Sequence, residues 1–172
     1  LLDTSNLGKF DPADAQIPQQ FLVGSQSCQP GQTAAGADGP GWQRLYGNAT
    51  YWNGSIYLAP SNTDLRQYQF SGKTLSTTPA SRSVTQFLNR GANTVVSANG
   101  NSDAIVWAET KDAKSAIGLH AYDANDVSHE LWNNYMGTNI LYPGVQFAIP
   151  IVVDNKVIAA GKNDIFIYGL LH

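Results

Sequence analysis

The chain has 172 residues, enough for one ordinary domain, with 42% hydrophobic and 13% charged residues and a net charge of −3. The charged share is about half the usual one for a soluble domain. No Lys/Arg cluster, basic amphipathic helix or run of roughly 20 apolar residues occurs, so neither nucleic acid nor a membrane is expected as a partner.

With 16 Gly, 8 Pro and 18 aromatic residues (6 Phe, 4 Trp, 8 Tyr), the composition favours an all-β protein. Cys28 is the only cysteine. It cannot close an internal disulfide or build a Cys-based zinc site, and either a free thiol or a bond to another chain remains open.

Residues 1–41 are irregular, and 1–44 as a whole read as a strand end followed by a long loop. Leu1-Leu2-Asp3-Thr4 reads as the end of a buried strand running into a turn, so the chain is expected to be the C-terminal part of a longer one. Gln20-Phe21-Leu22-Val23 is a candidate strand, and Gly24 to Gly41 is a loop rich in Gly, Ser, Gln and Ala. From Leu45 the pattern is regular. Asn48–Trp52 and Ser55–Ala59 are strands joined by Asn53-Gly54, a strong hairpin signal. Leu65–Phe70 and Ser83–Phe87 complete a four-stranded unit over 45–90. A second unit over 91–135 runs Thr94–Ala98, Ala104–Glu109, Gly118–Asp123 and Glu130–Trp132, with a polar insert at Lys111–Ser115. A third over 136–172 runs Phe147–Val153, Val157–Ala160 and Asp164–Leu170 and lacks an outer strand.

Each unit repeats one plan. A tight hairpin centred on Asn53-Gly54, Asn99-Gly100 or Asp154-Asn155 leads to an apolar strand, then to a strand ending at Tyr68, Tyr122 or Tyr168. Hairpins separated by about 50 residues, with several strands per unit, are the signature of propeller blades. The fold expected is a β-propeller of four-stranded antiparallel blades, with 1–172 supplying about three blades and part of another. Trp52, Trp107 and Trp132 fall on or beside strands and are expected to fill space between blades. Three blades do not close a ring, so the remaining blades, from the same protein or another chain, are expected partners.

Leu119 to Trp132 resembles the blade-docking motif of the quinoprotein alcohol dehydrogenase-like propellers, with Ala121, Asp123 and Trp132 in the matching places. The motif's usual Thr-Gly turn is replaced by Asn125-Asp126-Val127-Ser128. Tyr51 to Tyr57, Ser97 to Gly100 and Ile149 to Val157 look similar to the same superfamily. Leu2 to Gly8 looks like the end of a preceding blade. The resemblance implies part of such a ring and, for members with activity, oxidation of alcohols or sugars with pyrroloquinoline quinone and calcium on the axis. No adjacent cysteine pair, haem attachment motif or clear calcium set occurs in this chain. The alternative is a non-catalytic propeller that binds a carbohydrate or protein partner, since fold alone does not settle function.

The catalytic residues are unassigned, and no metal site is expected. His120, His129 and His172 lack ligand spacing, and Asp123-Ala124-Asn125-Asp126 lacks the glycine of an EF-hand loop. The segment Gly39 to Gly47 precedes an innermost strand, where loops lie near a propeller axis. Trp42, Arg44 and Tyr46 offer stacking faces and a charge-assisted donor to a sugar or acid, and Arg90 precedes the next inner strand. The alternative there is a loop capping the axis, with arginines held by local carbonyls. Asn48 and Asn53 open N-x-[ST] triplets and are expected glycosylation sites, and each is equally a turn-forming asparagine. With the low charge they point to a secreted protein, extracellular or periplasmic.

Overall fold

The structure is a computed structural model and describes residues 17–21, 23, 43–88, 90–111, 116–136 and 143–169. Trp42, Cys28, His172, residues 1–16 and most of the insert at 111–115 lie outside the described residues. Among those described, the chain is all-β, with three antiparallel sheets and no helix.

The first sheet holds β1 (Thr50–Trp52), β2 (Ser55–Leu58), β3 (Thr63–Ser71), β4 (Thr74–Leu75) and β5 (Ser81–Phe87). Both β4 and β5 pair with β3, β4 at its C-terminal end and β5 along its first half. The second sheet runs in order β6 (Asn93–Asn99), β7 (Ser102–Lys111), β8 (Ile117–Asp123) and β9 (Asp126–Asn133). The third runs β10 (Ile151–Val153), β11 (Lys156–Ala160) and β12 (Ile165–Gly169).

Turn chemistry sets the hairpins. Asn53 and Gly54, and Asp154 and Asn155, all have positive φ, as the two central residues of a type I′ turn require. The middle hairpin differs from expectation. Asn99 pairs with Ser102, so the turn is Gly100-Asn101, and the one-residue slip is absorbed beside Asp103 at φ 53°. The β8–β9 turn is also earlier than expected. Asp126 pairs directly with Asp123, so β9 begins at Asp126, and register shifts beside Tyr122 take up the extra residues.

Two further differences have physical causes. Ser81 to Phe87 pairs with β3 across a bulge between Asp64 and Arg66, and there the Leu65 N–H donates to Ser83 Oγ instead of the ladder. Gln20, Phe21 and Val23 form no strand. Gln19 supplies the pairing instead: its amide donates to the Leu75 carbonyl and accepts from the Leu75 N–H, both at 2.7 Å. Phe21 then packs on Tyr68, with ring centres 5.6 Å apart.

Period-two alternation divides the second sheet between two interfaces. Ala104, Val106 and Ala108 of β7, with Tyr122, Ala124 and Val127, pack on Tyr57, Ala59, Leu65 and Phe87 of the first sheet. The opposite face presents Trp107, Ile117, Leu119 and Trp132 to Val157, Ala159, Phe166 and Tyr168 of the third sheet. Trp52 packs on the first core, and Trp107 and Trp132 pack on the second. Along one side, β1 lies beside β6 and β6 beside β10. The far face of the third sheet leaves Ile151, Val153, Ile165 and Ile167 exposed.

Candidate functional site

The segments leading into β1, β6 and β10 converge at one corner. Asn93, the first residue of β6, ties them together: its Oδ1 accepts from the Asn48 N–H, and its Nδ2 donates to the Ala148 carbonyl. Two glycines permit the close approach. A Cβ on Gly47 would fall 2.6 Å from Asn93 Oδ1. Gly91, at φ +75°, would place one 2.2 Å from the Ala59 carbonyl oxygen. Thr110 Oγ1 donates to the Gly91 carbonyl at 2.7 Å and secures the loop to the end of β7.

Three side chains stack at this corner. The Arg90 guanidinium carbon lies 5.0 Å from the centre of the Tyr46 ring and 5.7 Å from that of Phe147. The two rings are tilted, with centres 6.3 Å apart. These distances are in the range of cation–π attraction. Phe147 adopts φ 66°, a left-handed conformation that costs roughly 1–3 kcal/mol for a bulky residue. Arg90 makes no hydrogen bond or ion pair among the described residues.

Behind the stack is a small cavity of about 20 Å³ lined by Gly47, Arg90, Asn93, Glu109, Lys111 and Phe147, among others. That volume admits one water-sized group. Glu109 alternates with Ala108 and so projects to the third sheet, where its Oε1 accepts from the Ala160 N–H at 3.1 Å. Its Oε2 is buried without a hydrogen-bond partner. Burial pushes the carboxyl from an ordinary 4.5 up to about 7, only partly offset by the Ala160 hydrogen bond.

Of the expected ligand-binding residues, the structure brings Tyr46 and Arg90 together and holds Arg44 elsewhere. Arg44 is fixed through its backbone, its N–H donating to Ser61 Oγ and its carbonyl accepting from the Ser61 N–H. Trp42 lies outside the described residues. Phe147 and Glu109 were not expected. Phe147 reads as the first residue of a strand, whereas β10 begins at Ile151. Glu109 reads as one more alternating strand position. Its one visible signal is a carboxylate directly after the apolar run Ala104–Ala108 of β7.

Of the residues expected to dock blades, two are cross-strand partners and the third caps the following turn. Ala121 pairs with Trp132 across β8 and β9, and Asp123 Oδ1 accepts from the Asn125 N–H at 2.8 Å. Asn48 donates from Nδ2 to the Thr94 carbonyl, and Asn53 is at the tip of the β1–β2 hairpin. His120 is held structurally: its Nδ1 is 2.7 Å from Glu130 Oε1, between the rings of Phe87, Tyr122 and Tyr135. That hydrogen bond, ahead of partial burial, holds the Glu130 carboxyl below its ordinary range.

A second hollow of about 460 Å³ opens on the first sheet beside Asp64, Arg66 and Arg82. Its charges are already matched. Asp64 pairs with Arg66 at 2.9 Å and Arg82 at 3.3 Å, while Arg66 also donates to Thr63, Gln43 and the Val23 carbonyl. No group of three or more His, Cys, Asp or Glu side chains is placed to hold a metal among the described residues.

No protein-family model matches the chain, and neither the curated proteins nor the solved structures give a match.

Proposed function

We propose that the chain is an arc of a quinoprotein-like β-propeller, and that its Arg90 corner binds a small hydroxylated ligand of the sugar or alcohol class. The observation that carries the binding reading is the half-buried Arg90, stacked on Tyr46 and Phe147 beside a buried carboxylate with one oxygen unpaired. Aromatic faces take the apolar side of a sugar ring, and the polar groups orient its hydroxyls. The ring reading is supported by β1, β6 and β10 lying side by side. It is also supported by the exposed isoleucines of the third sheet, an apolar face of the kind that seeks a further blade. Secretion and the remaining blades as partners belong to the same reading.

Calorimetric titration of the full-length protein with monosaccharides, sugar acids and alcohols tests the binding. Heat of binding that is lost in Arg90→Ala and Tyr46→Ala is expected. No binding by any member of the series overturns it. The oxidoreductase activity implied by the family resemblance is tested separately, by dye reduction with the same compounds after addition of calcium and pyrroloquinoline quinone. No reduction leaves a binding propeller and removes the enzyme.

A further inference from the structure

Two unpaired groups of complementary chemistry line one cavity. Arg90 offers guanidinium N–H donors that meet only ring faces among the described residues. Glu109 offers a carboxylate oxygen that meets nothing, although the residue is 3% exposed. An unpaired buried carboxylate oxygen is costly, and the two groups do not satisfy each other. No salt bridge forms between them. A molecule carrying both an anionic and a hydroxyl group would satisfy both.

We propose that the ligand of this corner is a hydroxy acid of the sugar-acid kind, its carboxylate on Arg90 and one hydroxyl inserted against Glu109 Oε2. This rests on the binding reading above and specifies its ligand. The cavity size selects the inserted group: about 20 Å³ accepts one hydroxyl and not a ring. The rest of the molecule then lies outside, against Tyr46 and Phe147. A planar guanidinium suits a carboxylate because it can donate two parallel hydrogen bonds. A hydroxyl suits Glu109 because it both donates and accepts. It can pair with the ionised and the protonated carboxyl, whereas an ammonium pairs only with the ionised form. Glu109 becomes the specificity residue of the corner, and its Oε1 stays on Ala160 throughout.

The test compares three probes on the full-length protein by calorimetry: D-glucuronate, D-glucose and acetate. Glucuronate is expected to bind at least about tenfold tighter than either of the others, as one charge-assisted hydrogen bond provides. Arg90→Gln should abolish the preference over glucose. Glu109→Gln, which keeps an oxygen for Ala160, should reduce the preference over acetate. Equal affinity for glucuronate and glucose, with both binding, overturns the sugar-acid assignment and leaves the binding reading standing. A preference over acetate unchanged in Glu109→Gln overturns the role of Glu109. If none of the three binds, the binding reading itself falls. The wild-type comparison requires no variant to fold.

Discussion

Tyr57 Oη, fully buried in the first sheet, donates a 2.6 Å hydrogen bond to the Ala124 carbonyl at the β8–β9 turn of the second. The same carbonyl accepts from Gln67 Nε2 at 3.2 Å. One turn of the second sheet is thereby fixed on the face of the first by two donors from adjacent strands. Burial is the main reason the Tyr57 hydroxyl is held protonated above its ordinary range.

Tyr57→Phe should cost about 1 kcal/mol, the usual net worth of a neutral hydrogen bond, because Gln67 still satisfies the carbonyl. Tyr57→Ala should cost about 3–5 kcal/mol, since it also empties the centre of the core. Urea denaturation midpoints at constant m-value separate the two outcomes. Equal losses would show that packing contributes nothing at this position.

Glu109 makes a pH prediction of definite sign. Its folded pKa, about 7, is above its ordinary 4.5. Between these values the folded chain holds a proton that the unfolded chain releases. Its contribution to stability is therefore present below 4.5 and falls as pH rises through 7. The size is on the order of 3 kcal/mol. Glu109→Gln should flatten this part of the stability profile. Chemical unfolding at pH 5 and pH 8 reads the difference between wild type and variant, and the same slope in both would count against the assignment.

Gly91 and Gly54 share the left-handed backbone, at +75° and +79°, but differ in surroundings. Alanine at 54 meets nothing within 4 Å and should cost roughly 1–2 kcal/mol from backbone strain alone. Alanine at 91 must also push aside the Ala59 carbonyl. Gly91→Ala should therefore lower the melting temperature clearly more than Gly54→Ala. It should also disturb the Arg90 corner, because the loop rests on that glycine.

Asp64 and Arg82 predict a contrast between buried and exposed ion pairs. Removing Asp64 leaves Arg66 charged at 6% exposure, and Asp64→Ala should cost about 3–5 kcal/mol. Arg82 has a side chain 53% exposed, and Arg82→Ala should cost about 1 kcal/mol or less. Burial raises the Asp64 carboxyl, but hydrogen bonds from Thr63 and Arg66 outweigh it and hold the group below its ordinary value. Stability from Asp64 is therefore present at neutral pH and lost on acidification, opposite in sign to Glu109. Acid titration of wild type and Asp64→Asn by circular dichroism measures it.

The strands were legible wherever a local signal exists. Asn53-Gly54 and Asp154-Asn155 mark hairpins because their backbone demands positive φ, and alternation around Val106 or Leu119 marks strands. Gly100 shows the limit: the turn chemistry was visible, but the one-residue slip comes from Asp103 and the pairing beyond it. The Arg90 corner was half legible. Tyr46 and Arg90 stand out as polar-tipped residues ahead of β1 and β6. Phe147 joins them from 57 residues further on, through the lead-in to β10. Glu109 becomes visible as a buried carboxylate only when the third sheet covers its face. Contacts set by sheet stacking leave no mark at fixed spacing.

Gln19 has a consequence for how the molecule meets other chains. The free edge of a β-strand offers an N–H and a carbonyl to any passing segment and so invites fibril-like growth. At Leu75 both groups are already taken by one amide side chain. Gln19 thus serves as a plug on the outer rim of β4, and an incoming strand would have to break two good hydrogen bonds before making any of its own.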